Sequence, residues 1–414
     1  MDRVDIRIPD YVRDLIGRLE KGGHEAVVVG GCVRDALLNR EAHDWDMATS
    51  AGIRDMQACF EGLKTVNTGI RHGTITVIAD GHPVEVTTYR TGKEESGAVT
   101  LPMDLSHRDL TVNAMAYHPK KGLIDLFDGA KDVQEGRIRF VQSAADRIEE
   151  DPLRLLRALR FAATLGFEID EEGRREILKK AGYLSVVALE RIQSEFRKLM
   201  VGSAADRIIR EYGPVWKVFL PEAAISLETA KVADAVSYSV PEEAVRLALV
   251  FMPTDKALPY TEHSAGHYLK ALRADNAIQE TVKKILAFPY ERLGSDPIGM
   301  NHLIAEKSLP IVRLAIEYHY AVHSMSFSKE RDALEKVAQT RDELLSVLDE
   351  LVRSGACMKP ADLKVSGSEL IAAGLVKGGP AVGLSLSRLL DAVIDKKVKN
   401  EKEDLLVYAA QCRD

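Results

Sequence analysis

Gly30-Gly31-Cys32-Val33-Arg34-Asp35, with Asp44-Trp45-Asp46 a short way on, is the stretch from which the rest of the chain is read. Ahead of it, Ala26-Val27-Val28-Val29 has the unbroken apolar, β-branched character of a buried strand, and Val33 to Leu38 reads as a helix. The glycine pair therefore sits in a strand-to-helix turn whose backbone N–H groups can face a phosphate, with Arg34 in the first turn of the helix. In an extended segment residues two apart point to the same side, so Asp44 and Asp46 project together, close enough to hold one or two Mg²⁺ ions. A solvated acidic loop is the plainer alternative. It explains poorly why Trp45, Met47 and Ala48 surround the pair with apolar, strand-like sequence.

Working outward, residues 9 to 22 carry Val12, Leu15, Ile16 and Leu19 at helical spacing and stop at Gly22-Gly23. His72 to Ala79 and Val84 to Tyr89 alternate and are rich in β-branched residues, with a turn at Asp80-Gly81-His82-Pro83, which predicts a hairpin. Glu85 on that hairpin is either a third carboxylate facing the metal centre or an exposed strand residue. Thr91 to Ser106 is polar, with glycine and Pro102, and reads as a loop.

From Ala145 onward the apolar period is helical almost throughout, so a mixed α/β region gives way to an all-α region near residue 140. Within Glu150-Asp151-Pro152-Leu153-Arg154, continuing to Phe161, the positions Leu155, Leu159 and Ala162 form a core stripe. Asp151, Arg154, Arg157 and Arg160 form a charged row in steps of three. Such a row winds around a 3.6-residue helix, so only neighbours in it can grip one small group. It is either an exposed face with ion pairs or a nucleotide-binding surface. His263 and His267 lack any accompanying acid cluster and read as helix-surface histidines. Val365-Ser366-Gly367-Ser368-Glu369 reads as a capped helix start, and Lys377-Gly378-Gly379 as a phosphate clamp or an ordinary loop.

Composition bounds the answer from the other side. With 46% hydrophobic residues in 414, the chain can bury several cores, and its four cysteines lack both CxxC spacing and a secreted disulfide pattern. A reducing cytoplasm is the expected location. No apolar run reaches the roughly 20 residues a bilayer needs, so no membrane is expected. A net charge of −7 argues against indiscriminate nucleic-acid binding but leaves room for a local basic groove, for which Arg154 to Lys180 is the richest stretch.

Together these residues resemble the class II tRNA nucleotidyltransferases, the CCA-adding enzymes of the polymerase-β superfamily, over essentially the whole chain. Gly30 to Asp35 with Asp44-Trp45-Asp46 matches the family's first motif, and Arg108-Asp109 the motif that recognises the ribose. Asp125-Leu126-Phe127-Asp128-Gly129 is similar to the connector motif, and Glu150-Asp151-Pro152-Leu153-Arg154 to the EDxxR nucleotide-reading motif. Glu190-Arg191-Ile192 begins a helix-stabilising motif, and Lys364 to Glu403 resembles the family's tail. The resemblance implies an α+β chain: a mixed-sheet catalytic head (1–140), then an elongated all-α neck with the nucleotide-reading helix (141–205), a body (206–330) and a tRNA-binding tail (331–414).

It also implies roles. Asp44 and Asp46, supported by Glu85, would hold two Mg²⁺ ions, and Gly30, Gly31 and Arg34 the triphosphate. Arg108 and Asp109 would hold the ribose. Asp151 and Arg154 would read the base, with Arg157 and Arg160 also binding the nucleotide. The implied partners are the acceptor and T arm of tRNA, CTP and, in full CCA addition, ATP. Two departures stand out. His107 occupies a position where the family usually has arginine, and the loop from Thr91 to Ser106 is shorter than in full CCA-adding members and lacks their Arg-Arg-Pro stretch. That truncation resembles the CC-adding branch, so the expected enzyme adds two cytidines and leaves the adenosine to a separate A-adding enzyme. The alternatives are full CCA addition, a poly(A) polymerase, and an inactive tRNA-binding protein.

Overall fold

A computed structural model describes residues 6–42, 44–67, 69–89, 99–220, 229–252, 262–271 and 273–412. The chain forms two compact units, Met1–Phe219 and Leu220–Asp414.

The first unit opens with helix α1 (Asp10–Lys21), whose Val12, Leu15, Ile16 and Leu19 are buried as their spacing predicted. A seven-stranded mixed sheet follows, in the order β3-β4-β5-β2-β1-β6-β7. Its strands are β1 (Ala26–Val29), β2 (Asp46–Thr49), β3 (Lys64–Val66), β4 (Thr74–Ala79), β5 (His82–Thr88), β6 (Met115–His118) and β7 (Gly122–Asp125). Strands β4 and β5 are the predicted hairpin, paired from Thr74↔Thr87 to Ala79↔His82. All neighbours are antiparallel except β2 and β5.

This topology explains why the deciding stretch works as one site. Because β1 runs antiparallel to β2, with Val28 opposite Met47, the glycine turn leaving β1 lies beside the aspartates entering β2. Helix α2 starts at Gly31 and runs to Leu37, so the second glycine lies inside the helix, and a further helix, α3 (Ile53–Cys59), follows β2. Gly30 has φ +76° and ψ −128°, a combination open essentially to glycine alone, and an added Cβ would stand 3.2 Å from Nη1 of Arg108.

Two sequence expectations need correction. The segment read as a loop ends in a helix, α4 (Leu101–Ser106), while residues 90–98 lie outside the described residues. Pro102 sits in the first turn of α4, where its missing N–H costs nothing. Leu101 and Leu105 anchor that helix against Val27, Val29, Ala48 and Tyr89. Nor is the chain purely helical beyond residue 140, because β9 (Glu168–Ile169) pairs in parallel with β8 (Arg137–Ile138).

Helices α5 (Gly129–Glu135), α6 (Ala144–Glu150), α7 (Leu153–Leu165), α8 (Glu171–Lys180) and α9 (Leu189–Met200) lead on from the large sheet. In α7, Leu155, Leu159 and Ala162 are fully buried, as the stripe predicted. Helices α7 and α9 pack together. The turn after α9 comes so close to α7 that a Cβ on Gly202 would lie 2.6 Å from the carbonyl carbon of Ala163.

The second unit is helical throughout its described residues. Helices Pro297–Lys307, Leu309–Ser326 and Arg331–Arg353 share a core of Met300, Leu303, Ile304, Val312, Ile316 and Leu348. Near the C-terminus, Leu370, Leu389, Leu390 and Leu405 form another. Ser366 and Glu369 make a capping box at the predicted helix start, with Ser366 N donating to Glu369 Oε2 at 2.7 Å. His263 and His267 fall in helix Glu262–Ala271, and their side chains lie outside the described residues. No described helix is long and apolar enough to cross a membrane.

Candidate active site

A cavity of about 780 Å³ opens between helices α7 and α9 and the edge formed by the end of β1 and the start of β2, wholly within the first unit. One wall is acidic, formed by Asp35, Glu41, Asp44 and Asp46. The other is basic, with Arg154, Arg157 and Arg160 from α7 and Arg191 and Lys198 from α9, and Arg34 and Arg108 also line the cavity. The structure thus brings together every predicted site residue except Glu85. Glu85 is exposed on β5 in parallel register with Asp46, on the same face of the sheet, but does not line the cavity.

Asp44 and Asp46 are solvent-exposed around buried Trp45, which fixes the backbone between them. Two exposed carboxylates suit a hard cation that keeps water and phosphate oxygens as its other ligands, the usual shell of Mg²⁺. Among the described residues, no three His, Cys, Asp or Glu side chains converge into a ready metal shell. Cys32, next to this edge, is no competing soft ligand. Its thiol donates to Val29 O at 3.3 Å, and burial first, then the charge of Asp46, pushes its pKa to about 12.

Arg34 is buried in α2 and forked onto Asp35 Oδ1 (2.8 and 2.9 Å), with Nη1 donating to Asn113 Oδ1 at 2.6 Å. Arg108 donates to Asp104 Oδ2 (3.0 and 3.2 Å) and to Asn113 O. Asp109 accepts from Arg157 Nε at 2.6 Å and from Leu110 N at 2.9 Å. Burial alone would push the Asp109 carboxyl up, but the Arg157 guanidinium wins and holds it below the usual range.

Although a row in steps of three winds around the helix, Asp151, Arg154, Arg157 and Arg160 all line the one cavity. Asp151 caps the step into α7, accepting from Leu153 N at 3.2 Å and from both terminal nitrogens of Arg191, Nη2 at 2.7 Å and Nη1 at 3.4 Å. Arg154 donates to Glu150 Oε2 at 2.5 Å, to His107 O at 3.0 Å and to Arg147 O at 3.4 Å. Arg157 and Arg160 turn towards Glu195 of α9. Arg160 Nε lies 2.5 Å from Glu195 Oε2. The guanidiniums of Arg34, Arg157 and Arg160 all lie within 6 Å of the Phe161 ring centroid.

Several contributors escaped the sequence reading. Lys198 and Phe161 line the cavity and Glu195 anchors two of its arginines, but none belongs to a short local pattern. The connector stretch is a helix cap, in which Asp125 accepts from Gly129 N and Ala130 N at 2.9 and 2.8 Å.

Three family models match in chain order. They are a Poly A polymerase head domain over residues 26–139, a probable RNA and SrmB-binding site of polymerase A over 166–224, and a putative tRNA nucleotidyltransferase domain 2 over 254–409. The chain is 30% identical over 410 residues to a CCA-adding enzyme of Leuconostoc mesenteroides, covering 96% of this chain and 95% of that relative. It is 31% identical to a CCA-adding enzyme of Pediococcus pentosaceus, with 95% and 96% covered. The crystal structure of Bacillus stearothermophilus CCA-adding enzyme in complex with CTP is similar with a TM-score of 0.73 at 26% identity, over 98% of each chain.

Proposed function

The chain belongs to the CCA-adding enzyme family of tRNA nucleotidyltransferases, and from that premise we propose that it adds two cytidines from CTP to the 3′ end of tRNA, with its own side chains as template. The observation that carries this reading is that the carboxylates suited to the chemistry, Asp44 and Asp46, and the pair suited to choosing a base, Asp151 and Arg154, line one cavity.

In the reaction the tRNA 3′-oxygen attacks the α-phosphorus in line, the bond from that phosphorus to the β-phosphate bridge breaks, and pyrophosphate leaves with the charge. Asp44 and Asp46 would hold Mg²⁺, with Glu85 supporting that edge. When bound, the metal supplies charge neutralisation and favours ionisation of the attacking hydroxyl. Arg34 and the turn at Gly30 and Gly31 would hold the triphosphate, and Arg108 and Asp109 the ribose. Arg157 and Arg160 complete the basic wall.

Base choice follows from donor and acceptor patterns. Cytosine presents an amine donor beside a ring-nitrogen acceptor, and uracil presents a carbonyl acceptor beside an N–H donor. Asp151 accepts from the amine and Arg154 donates to the ring nitrogen. Against uracil or guanine both contacts set like against like, at about 1 to 3 kcal/mol for each buried unpaired group. Adenine shares the cytosine pattern, so stopping at CC has to come from elsewhere. We assign that limit to the loop from Thr91 to Ser106, which is shorter than in full CCA-adding members. We further divide the chain into a head (1–140), a neck (141–205), and a body (206–330) and tail (331–414) that hold the acceptor and T arm, with a separate A-adding enzyme completing the end.

Full CCA addition is the second reading, favoured by the name its relatives carry across nearly their whole length. Incubating tRNA that lacks its 3′ end with CTP, with ATP and with both separates the two. Two cytidines and no adenosine are expected. A terminal adenosine on most of the product establishes full CCA addition instead.

A further inference from the structure

Asp151 and Arg154 stand one helical turn apart and carry opposite charges, so the simplest arrangement would be for each to neutralise the other. They do not. Asp151 is taken by Arg191 and Leu153 N, whereas Arg154 is taken by Glu150 and two backbone carbonyls. A carboxylate offers about four lone-pair directions and a guanidinium five N–H groups. Three N–H groups reach Asp151, two on Oδ1 and one on Oδ2, which leaves one acceptor direction on Oδ2. Arg154 makes three bonds through its two terminal nitrogens, which leaves Nε–H and one terminal N–H to donate. One open acceptor beside an open donor is the complement of a cytosine edge.

We propose that Arg191 is a specificity-determining positioning residue: its fork holds the Asp151 carboxylate off Arg154 and aims the remaining lone pair at the exocyclic amine of the incoming base. This rests on the reading of Asp151 and Arg154 as the template. The torsion that turns an aspartate carboxylate is broad and soft, so Leu153 N alone cannot fix it. Without Arg191 the carboxylate rotates towards Arg154 and the two quench each other. Arg191 reaches across from α9, and its side chain is 53% exposed, so the pair contributes little to the stability of the fold and the variant remains folded. The shape of the donor matters as well as its charge, because lysine cannot span both carboxylate oxygens.

The test compares kcat/KM for CTP and UTP on tRNA lacking its 3′ end, in the full chain carrying Arg191→Ala, Arg191→Lys or Asp151→Asn. Arg191→Ala should lower the CTP preference about tenfold, chiefly through a raised KM for CTP, and Arg191→Lys should fall between it and the unsubstituted protein. Asp151→Asn should lower the preference at least as far. A preference within about twofold of the unsubstituted value in Arg191→Ala, with Asp151→Asn impaired, overturns the role of Arg191 alone. An unchanged preference in Asp151→Asn overturns the template reading beneath it.

Discussion

Replacing Arg154 with alanine tests base reading at the donor side. The side chain is 18% exposed and lies against Glu150, His107 O and Arg147 O, a set of contacts whose loss would at first sight damage the fold. The structure argues otherwise. Glu150 keeps a second partner in Arg147, and its side chain is 40% exposed, so no buried charge is stranded. The stability loss should stay near 1 kcal/mol. The loss in reading is larger. With cytosine bound, the ring nitrogen loses a charge-assisted hydrogen bond of about 1.5 to 3 kcal/mol, equivalent to about 10- to 150-fold in kcat/KM for CTP. UTP, which offers an N–H there, loses nothing and is relieved of a clash between donors, so the CTP to UTP ratio should fall by at least that factor. The assay is steady-state incorporation on tRNA lacking its 3′ end, each nucleotide supplied singly, with a thermal melt as the folding control. A folded variant whose CTP to UTP ratio is unchanged would refute the assignment.

Further substitutions address other parts of the site. Asp44→Ala removes an exposed carboxylate, so the melt should move little, whereas the loss of several kcal/mol of transition-state stabilisation should cut incorporation about 10³-fold, read in single-turnover reactions. Arg157→Ala leaves buried Asp109 with only Leu110 N, at a cost of about 1 to 3 kcal/mol in a urea titration. Because the folded Asp109 carboxyl is held below its usual value, its stabilisation is present above the unfolded pKa of about 3.9 and lost as pH falls through the lower folded value. The acid arm of the stability profile should therefore be shallower in that variant. In the second unit, burial and then His323 depress the His319 pKa to about 4, and its ring stacks on Tyr290. The unfolded chain binds that proton from about pH 6.5 downward, so stability falls between there and about pH 4. His319→Phe should flatten that slope in urea titrations across the range, and an unaltered slope would remove His319 as its cause.

How much of this was legible beforehand depends on the distance over which each feature is determined. Ala26–Val29, the turn at Gly30 and the Asp44/Asp46 pair were readable because period, turn chemistry and spacing act within a few residues. The stripe of α7 was readable for the same reason. Helix α4 was hidden because Thr100 and Pro102 look like loop residues until Leu101 and Leu105 are seen packed against the sheet. Strands β8 and β9 have two residues each, too short for any periodicity, and form by pairing across intervening helices. The partners of the arginines were the least legible. Asp109 meets Arg157 only once α7 has packed against the segment after α4, and Asp151 meets Arg191 and Glu195 meets Arg160 only once α7 and α9 have packed; no local pattern encodes either.

The most direct test of the account is to give the protein tRNA lacking its 3′ end, with all four nucleoside triphosphates at equal concentration, and to sequence the product ends. Chains ending in two added cytidines, with no uridine, guanosine or adenosine, are the predicted result. Uridine or guanosine at the new end would contradict reading by Asp151 and Arg154, and a terminal adenosine would contradict the proposed stop at CC.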